Sequence, residues 1–139
     1  MSISKNYLLK GEESSRLLFR NLLKTDFDEW LPFHQNPLSS QHWEGEVLEP
    51  RKECELWFQR AFKRNNQKLG GMNALIHKNT GKLIGQCGLL IQTVDNIKEL
   101  EIGYSILPEY WQQGYASEAA EKCKDFAFKN KLSSSLISI

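Results

Sequence analysis

The residues best suited to chemistry lie together near the end of the 139-residue chain, in Glu99-Leu-Glu-Ile-Gly-Tyr-Ser-Ile-Leu-Pro-Glu-Tyr-Trp-Gln-Gln-Gly-Tyr-Ala-Ser-Glu-Ala-Ala120. This stretch reads as a strand, a glycine-bearing turn and a helix that opens on small residues. The first amides of such a helix have no intrahelical acceptor, and the helix dipole adds positive potential, so phosphate is attracted there. Gly114 permits close backbone approach and Ser117 offers a hydroxyl. The plainer alternative is that Gly114 only ends a loop and Ser117 only caps the helix. Ahead of the turn, alternation places Glu99, Glu101, Gly103 and Ser105 on one face of the strand and Leu100, Ile102, Tyr104 and Ile106 on the other. Glu101 is the candidate base and Glu99 the second choice; the alternative is that both are solvated edge residues. Tyr104 reads as core, the alternative being an acid. A phosphate cradle beside a carboxylate points to group transfer from a phosphorylated carrier.

Other elements must position this stretch. Arg16-Leu-Leu-Phe-Arg20 is an apolar run bounded by charge, the first strand. Thr25 is expected to cap a helix over Asp26-Phe-Asp-Glu-Trp-Leu, whose acids suit its positive end. Pro37 is expected to close that region, and Ser39 to Pro50 reads as a loop. From Arg51 to Asn66, the residues Trp57, Phe58, Ala61 and Phe62 follow Cys54 at offsets of three, four, seven and eight, an amphipathic helix that Leu69-Gly-Gly ends. Met72–His77, Leu83–Gln92 and Lys98–Leu107 form an antiparallel meander, with turns at Asn79-Thr-Gly-Lys82 and Val94-Asp-Asn-Ile97. Gly81 suits a positive φ, and Gly85 and Gly88 mark bulges or close approach. Gly114 to Asn130 is a helix with Ala116, Ala119, Ala120, Cys123 and Ala127 on the sheet side and Glu118, Glu121, Lys122 and Asp125 facing water. Leu136-Ile-Ser-Ile139 begins one more strand.

Composition narrows the function classes. Hydrophobic residues at 40% and charged residues at 25% fit one globular domain over residues 1–139. A net charge of +1 supplies no broad basic surface for nucleic acid. No apolar run is long enough to span a bilayer, and Met1-Ser-Ile-Ser-Lys-Asn lacks the apolar core of a signal peptide. Cys54, Cys87 and Cys123 are odd in number and far apart, which fits a reducing cytoplasm rather than a disulfide framework. Cys87 and Cys123 read as buried small hydrophobes. His34, His42 and His77 have no ligand-like spacing, so no metal is expected. Trp30, Trp43 and Trp57 read mostly as packing, with Trp30, Phe33 and Trp43 available to line an acceptor pocket.

Four segments carry a resemblance to a known family: Arg16-Leu-Leu-Phe-Arg20, Gly81-Lys-Leu-Ile-Gly-Gln-Cys-Gly88, Glu101-Ile-Gly-Tyr104 and Pro108-Glu-Tyr-Trp-Gln-Gln-Gly-Tyr-Ala-Ser-Glu-Ala119. From about Arg16 to its last residue the chain resembles the GNAT acetyltransferase superfamily. Within it, the chain is most similar to the branch that acetylates protein N-termini, including those of ribosomal proteins. The family's pyrophosphate loop is usually written Gln/Arg-x-x-Gly-x-Gly/Ala, and Trp111 stands at its first position here. Members usually continue with a further helix and two strands, which shape the acceptor groove and often carry a tyrosine that protonates the leaving thiolate. The resemblance therefore implies an α/β (α+β) fold. It is a GNAT-like mixed, mostly antiparallel sheet flanked by helices and C-terminally shortened, whether naturally, by truncation or with a partner chain supplying the rest.

The resemblance also implies the donor, acetyl-coenzyme A, with no metal. Its pyrophosphate would rest on the backbone of Gln112, Gln113, Gly114, Tyr115, Ala116 and Ser117. Its pantetheine arm would pair with the strand end at Ser105, Ile106 and Leu107, where Pro108 ends the ladder. The Ile106 amide would polarise the thioester carbonyl, a contact often worth about 2.7–4 kcal/mol. Lys122 and Lys124 either meet the 3′-phosphate or are simply solvated. The acceptor is an amine, and antibiotics, other small amines and protein N-termini all remain open. A terminal α-amine (pKa ~8) is about one-tenth neutral at pH 7 and a lysine (pKa ~10.4) roughly one part in two thousand, a difference of about 3 kcal/mol. A modest base such as Glu101, acting through water, suffices for the former. Two other classes stand beside this one: a non-catalytic acyl-coenzyme A binding module, and an oligomerising interaction protein whose last strand pairs its free edge with another copy.

Overall fold

Alternating apolar residues build one sheet, and helices cover both of its faces. The computed structural model describes residues 7–40, 49–132 and 137–138. Among them the order is β1 (Leu17–Asn21), α1 (Phe27–Gln35), α2 (Pro37–Ser40), α3 (Pro50–Asn66), β2 (Gly70–His77), β3 (Leu83–Val94), β4 (Ile97–Ile106), α4 (Tyr115–Lys129) and β5 (Ile137–Ser138). The strands lie in sequence order; β1 to β4 are antiparallel and β5 joins β4 in parallel. Among the described residues no helix is long and apolar enough to cross a membrane.

The meander follows from its turns. Gly81 sits at φ +72°, and Asp95 and Asn96 at +50° and +64°, the positive pair that a tight hairpin with the native twist requires. Successive residues then serve opposite layers: Leu75 packs under α4 with Leu89 and Ile102, while Ala74 joins Trp30, Phe58 and Leu83 under α1 and α3. Small residues at Ala119, Cys123 and Ala127, all fully buried, let α4 lie close to the sheet. The Cys87 and Cys123 sulfurs meet there at 3.5 Å, and that bond together with burial pushes the Cys87 thiol well up, so it stays protonated and inert. Close approach explains Gly88, where a Cβ would stand 1.9 Å from the Gly71 carbonyl oxygen.

Several local expectations need correction. Thr25 does not cap α1; it lies in a 3-10 turn over Lys24–Asp26. Asp26 precedes the helix instead, and its buried carboxylate takes two bonds of 2.8 Å from Arg20 and one from the Leu23 amide. Pro37 opens the short α2 rather than closing the region, because the missing N–H of proline costs nothing at a first helical turn. Of the expected loop from Ser39 to Pro50, Ser39 belongs to α2 and Pro50 begins α3, where Glu49 caps the Arg51 and Lys52 amides; residues 41–48, including His42 and Trp43, lie outside the described residues. Gly70 and Gly71 are not a terminator but the first residues of β2.

Candidate active site

The turn between β4 and α4 is built to leave its amides open. After Ile106 the chain makes a 3-10 turn over Pro108–Tyr110, then enters the left-handed region at Gln112 (φ +64°) and Gly114 (φ +84°) before α4 begins. The first helical bond runs from the Glu118 amide to the Gly114 carbonyl at 3.0 Å. No side chain caps the helix, and among the described residues none accepts from the amides of residues 112–117. Gly114 cannot self-cap because it has no side chain, and Ser117 makes no cap bond. The loop is held in shape all the same. The Trp111 indole donates to the Ile106 carbonyl at 2.7 Å, and Gln113 Nε2 donates to the Glu109 carbonyl at 3.3 Å.

The end of β4 contributes an open strand edge. Leu107 donates its amide to the Ile84 carbonyl at 3.0 Å. In an antiparallel ladder such pairs alternate, so Ser105 also faces β3 while the amides of Tyr104 and Ile106 point away from it. On that far side β5 pairs only with Glu101 and Ile102. Past Ile102, among the described residues, the edge is free apart from the Ile106 carbonyl that Trp111 occupies. Tyr104 shares the face of Leu100, Ile102 and Ile106 as the alternation requires, yet it is 42% exposed rather than core.

Loop and edge border one groove of about 510 Å³. Its lining comprises Tyr104, Ser105 and Ile106 of β4, the turn and helix head (Trp111, Gln112, Gly114, Tyr115, Ala116, Ser117), Tyr110, and Phe33, Leu38 and Ser39 from α1 and α2. Most of the residues expected at the site are thus together. Gln113 and Leu107 are not among the lining: Gln113 is tied into the loop, and Leu107 turns its side chain into the α1–α3 layer. Phe33 lines the groove, and Trp30 is buried directly behind it, the two rings stacked at 4.5 Å. Glu101 lies on the α3 face, half-buried, and accepts from Gln92 Nε2 at 3.3 Å. No carboxylate, imidazole or cationic side chain is among the described residues that line the groove. Burial, with Glu109 nearby, raises the Tyr110 hydroxyl, which therefore stays protonated at neutral pH.

Two neighbours of the loop escape a reading by periodicity. Glu118, expected to face water, is half-buried and accepts from Ser14 Oγ, from the Arg16 amide and from Arg16 Nε. Arg16 also donates to the Gln113 carbonyl at 3.0 Å and stacks over Tyr115. Burial alone would raise the Glu118 carboxyl, but the bonds from Ser14 and Arg16 and the Arg16 charge outweigh it and hold the group below its ordinary range. The partners are about a hundred residues apart, so spacing along the chain carries no signal of the pair. Lys122 is likewise partnered, by Glu12 at 3.2 Å.

The family model described as "Acetyltransferase (GNAT) domain" matches residues 16–139. YkkB of Bacillus subtilis is 34% identical over 86 residues, 60% of this chain and 49% of its own length. The N-acetyltransferase YoaA of the same organism is 26% identical over 116 residues, 84% of this chain and 65% of its own. The chain thus spans less than two thirds of either relative. A solved acetyltransferase from Agrobacterium tumefaciens superposes with a TM-score of 0.72 at 25% identity, covering 99% of this chain and 75% of that one. RimL, a ribosomal-protein alpha-N-acetyltransferase solved in complex with coenzyme A, shares the fold at a TM-score of 0.64 and 14% identity, over 84% of this chain and 66% of its own.

Proposed function

The chain belongs to the GNAT acetyltransferase family, and from that premise we propose that it moves an acetyl group from acetyl-coenzyme A to a primary amine by direct attack on the thioester. The observation that carries this is the run of unaccepted amides at residues 112–117 beside a free strand edge. The amides of Gln112, Gln113, Gly114, Tyr115, Ala116 and Ser117 receive the diphosphate, where the helix dipole adds roughly 0.3–1 kcal/mol per charge. The edge at Tyr104 and Ile106 takes the pantetheine arm as an added strand, with Ser105 and Leu107 keeping that strand on β3. The Ile106 amide, outside the β3–β4 ladder, donates to the thioester oxygen as it gains charge. The amine nitrogen forms a bond to the carbonyl carbon, the carbon–sulfur bond breaks with its electron pair on sulfur, and the amine gives up a proton.

We assign that proton to Glu101 through water. The α-carbons of Glu101 and Ile106 are five residues apart, roughly 17 Å at a strand's rise, so several waters must intervene. Glu101→Gln is accordingly expected to slow turnover by no more than about a hundredfold, the low end for a general base. An acceptor with a largely neutral α-amine needs little more, which favours a protein or peptide N-terminus over a lysine side chain. RimL, whose fold the chain shares, is named an alpha-N-protein acetyltransferase, and the name of YoaA supports only an amine acceptor in general.

The test is calorimetric titration with coenzyme A, followed by thiol release from acetyl-coenzyme A with a panel of peptides and small amines. Binding plus amine-dependent thiol release is the expected result; the absence of both removes the proposal. Binding without transfer would select a second reading, an acyl-coenzyme A binding module. The lack of any ionisable base among the described residues lining the groove is what favours that reading.

A further inference from the structure

We propose that Arg16 is a positioning residue that keeps the diphosphate cradle open by holding the Glu118 carboxylate away from it; this rests on the reading of residues 112–117 as the donor site. Glu118 is the only acid in the first turn of α4. A carboxylate at that place lies in the same positive field of the helix end that an incoming diphosphate needs, and left uncompensated its charge opposes that anion. In the structure the carboxylate is engaged by donors on the other side. Oε2 accepts from Ser14 Oγ at 2.5 Å and from the Arg16 amide at 2.8 Å, and Oε1 accepts from Arg16 Nε at 2.7 Å.

The same guanidinium reaches the loop. Nη1 donates to the Gln113 carbonyl at 3.0 Å, the group lies 4.2 Å over the Tyr115 ring, and Nη2 ends 3.4 Å from where a Cβ on Gly114 would stand. One side chain from ahead of β1 therefore cancels the local negative charge and fixes the loop carbonyl, so that the neighbouring amides face outward. The Arg16 side chain is 40% exposed and that of Glu118 16%, so the pair meets water mainly on the guanidinium side. Its consequence is for the potential at the cradle.

The experiment is calorimetric titration of coenzyme A at low and at high salt into the full chain and into Arg16→Ala, Glu118→Gln and the double variant, with melting curves for each. Arg16→Ala should weaken binding by about tenfold or more at low salt and by less at high salt, since an exposed charge is screened. The double variant should return to within about threefold of the parent, because the carboxylate charge that Arg16 neutralised is gone. Glu118→Gln alone should bind at least as tightly as the parent. Unchanged binding in Arg16→Ala, or a double variant no better than the single one, overturns the inference. Should Arg16→Ala fail to fold, weaker binding in Glu118→Gln overturns it and retained binding supports it. Failure of the parent chain to bind coenzyme A is a different result and removes the cradle itself.

Discussion

Proline at position 106 isolates the amide on which the proposed thioester contact depends. Because Leu107 donates to Ile84 at 3.0 Å, alternation leaves the Ile106 amide outside the ladder with β3. Ile106→Pro therefore removes a donor that no carbonyl among the described residues uses, whereas Ser105→Pro removes a ladder bond and leaves the Gln86 carbonyl without its partner. The side chain must be controlled for, since Ile106 is only 5% exposed. Truncation by itself, as in Ile106→Ala, is expected to destabilise by about 2–5 kcal/mol, so that variant is the reference. Relative to it, loss of a donor aimed at the developing oxyanion should lower kcat by about 10²–10³, or 2.7–4 kcal/mol. Affinity for coenzyme A, set mainly at residues 112–117, should change by less than about threefold. Initial rates of thiol release, calorimetry and chemical denaturation, all at low temperature, supply the three numbers. A folded Ile106→Pro that turns over like Ile106→Ala would refute the oxyanion role. A Ser105→Pro as stable as Ile106→Pro would refute the assignment of which amides face β3.

Three further outcomes follow from individual contacts. Gly88→Ala puts a Cβ 1.9 Å from the Gly71 carbonyl oxygen, so β2 and β3 must part, and denaturation should show a loss of roughly 3 kcal/mol or more. Trp111→Phe deletes the 2.7 Å bond to the Ile106 carbonyl; about 1 kcal/mol of loop anchoring should go with it, read as roughly fivefold weaker coenzyme A binding with the melting temperature nearly unchanged. Burial, outweighing the bond and charge of Glu53, holds the His34 imidazole below its ordinary value of 6.5. The unfolded chain then takes up the proton first, so the stability this group contributes is full above pH 6.5 and declines as pH falls toward the lower folded value. Denaturation midpoints at pH 7.5 and 5.5 should separate in the parent chain and converge in His34→Phe; equal separation in both would exclude His34 as the cause.

How far the fold was legible depended on how local its causes are. The meander could be read because Gly81, Asp95 and Asn96 carry the backbone demands of its turns within the turns themselves. The buried face of α4 could be read because its small residues recur at helical spacing, and the candidate amide cradle because strand, glycine and helix are contiguous. What failed was set by partners distant in sequence. Thr25 had the right side chain for a cap, but the Arg20–Asp26 pair placed the helix start one step later. Gly70 and Gly71 had the composition of a terminator, yet the Leu89 carbonyl of β3 passes close to the first and the Asn65 side chain of α3 close to the second, which leaves no room for a Cβ inside the strand. Tyr104 had the parity of a core residue, yet it opens onto a groove whose other walls come from α1, α2 and the head of α4, none of them adjacent in sequence. Glu118 had the helical phase of a solvated residue, and the network with Ser14 and Arg16 has no trace in local spacing.

Those distant contacts bear on how the site would receive a ligand. Two residues of the loop, Gln112 and Gly114, hold positive φ, and for the non-glycine one this costs on the order of 1–2 kcal/mol. Three bonds hold that conformation: Trp111 to the Ile106 carbonyl, Gln113 to the Glu109 carbonyl, and Arg16 to the Gln113 carbonyl. At about 0.5–1.5 kcal/mol each, they are enough together to offset the backbone strain. Four of the six open amides add no large penalty, because Gln112, Gln113, Gly114 and Ser117 are exposed and water can accept from them. Folding therefore supplies the ordering that a flexible loop would otherwise charge against ligand binding. The backbone of residues 111–117 should then differ by less than about 1 Å between free and coenzyme A-bound crystals. A loop that rebuilds on binding, with Trp111 released from Ile106, would show instead that the anchors serve the free protein alone.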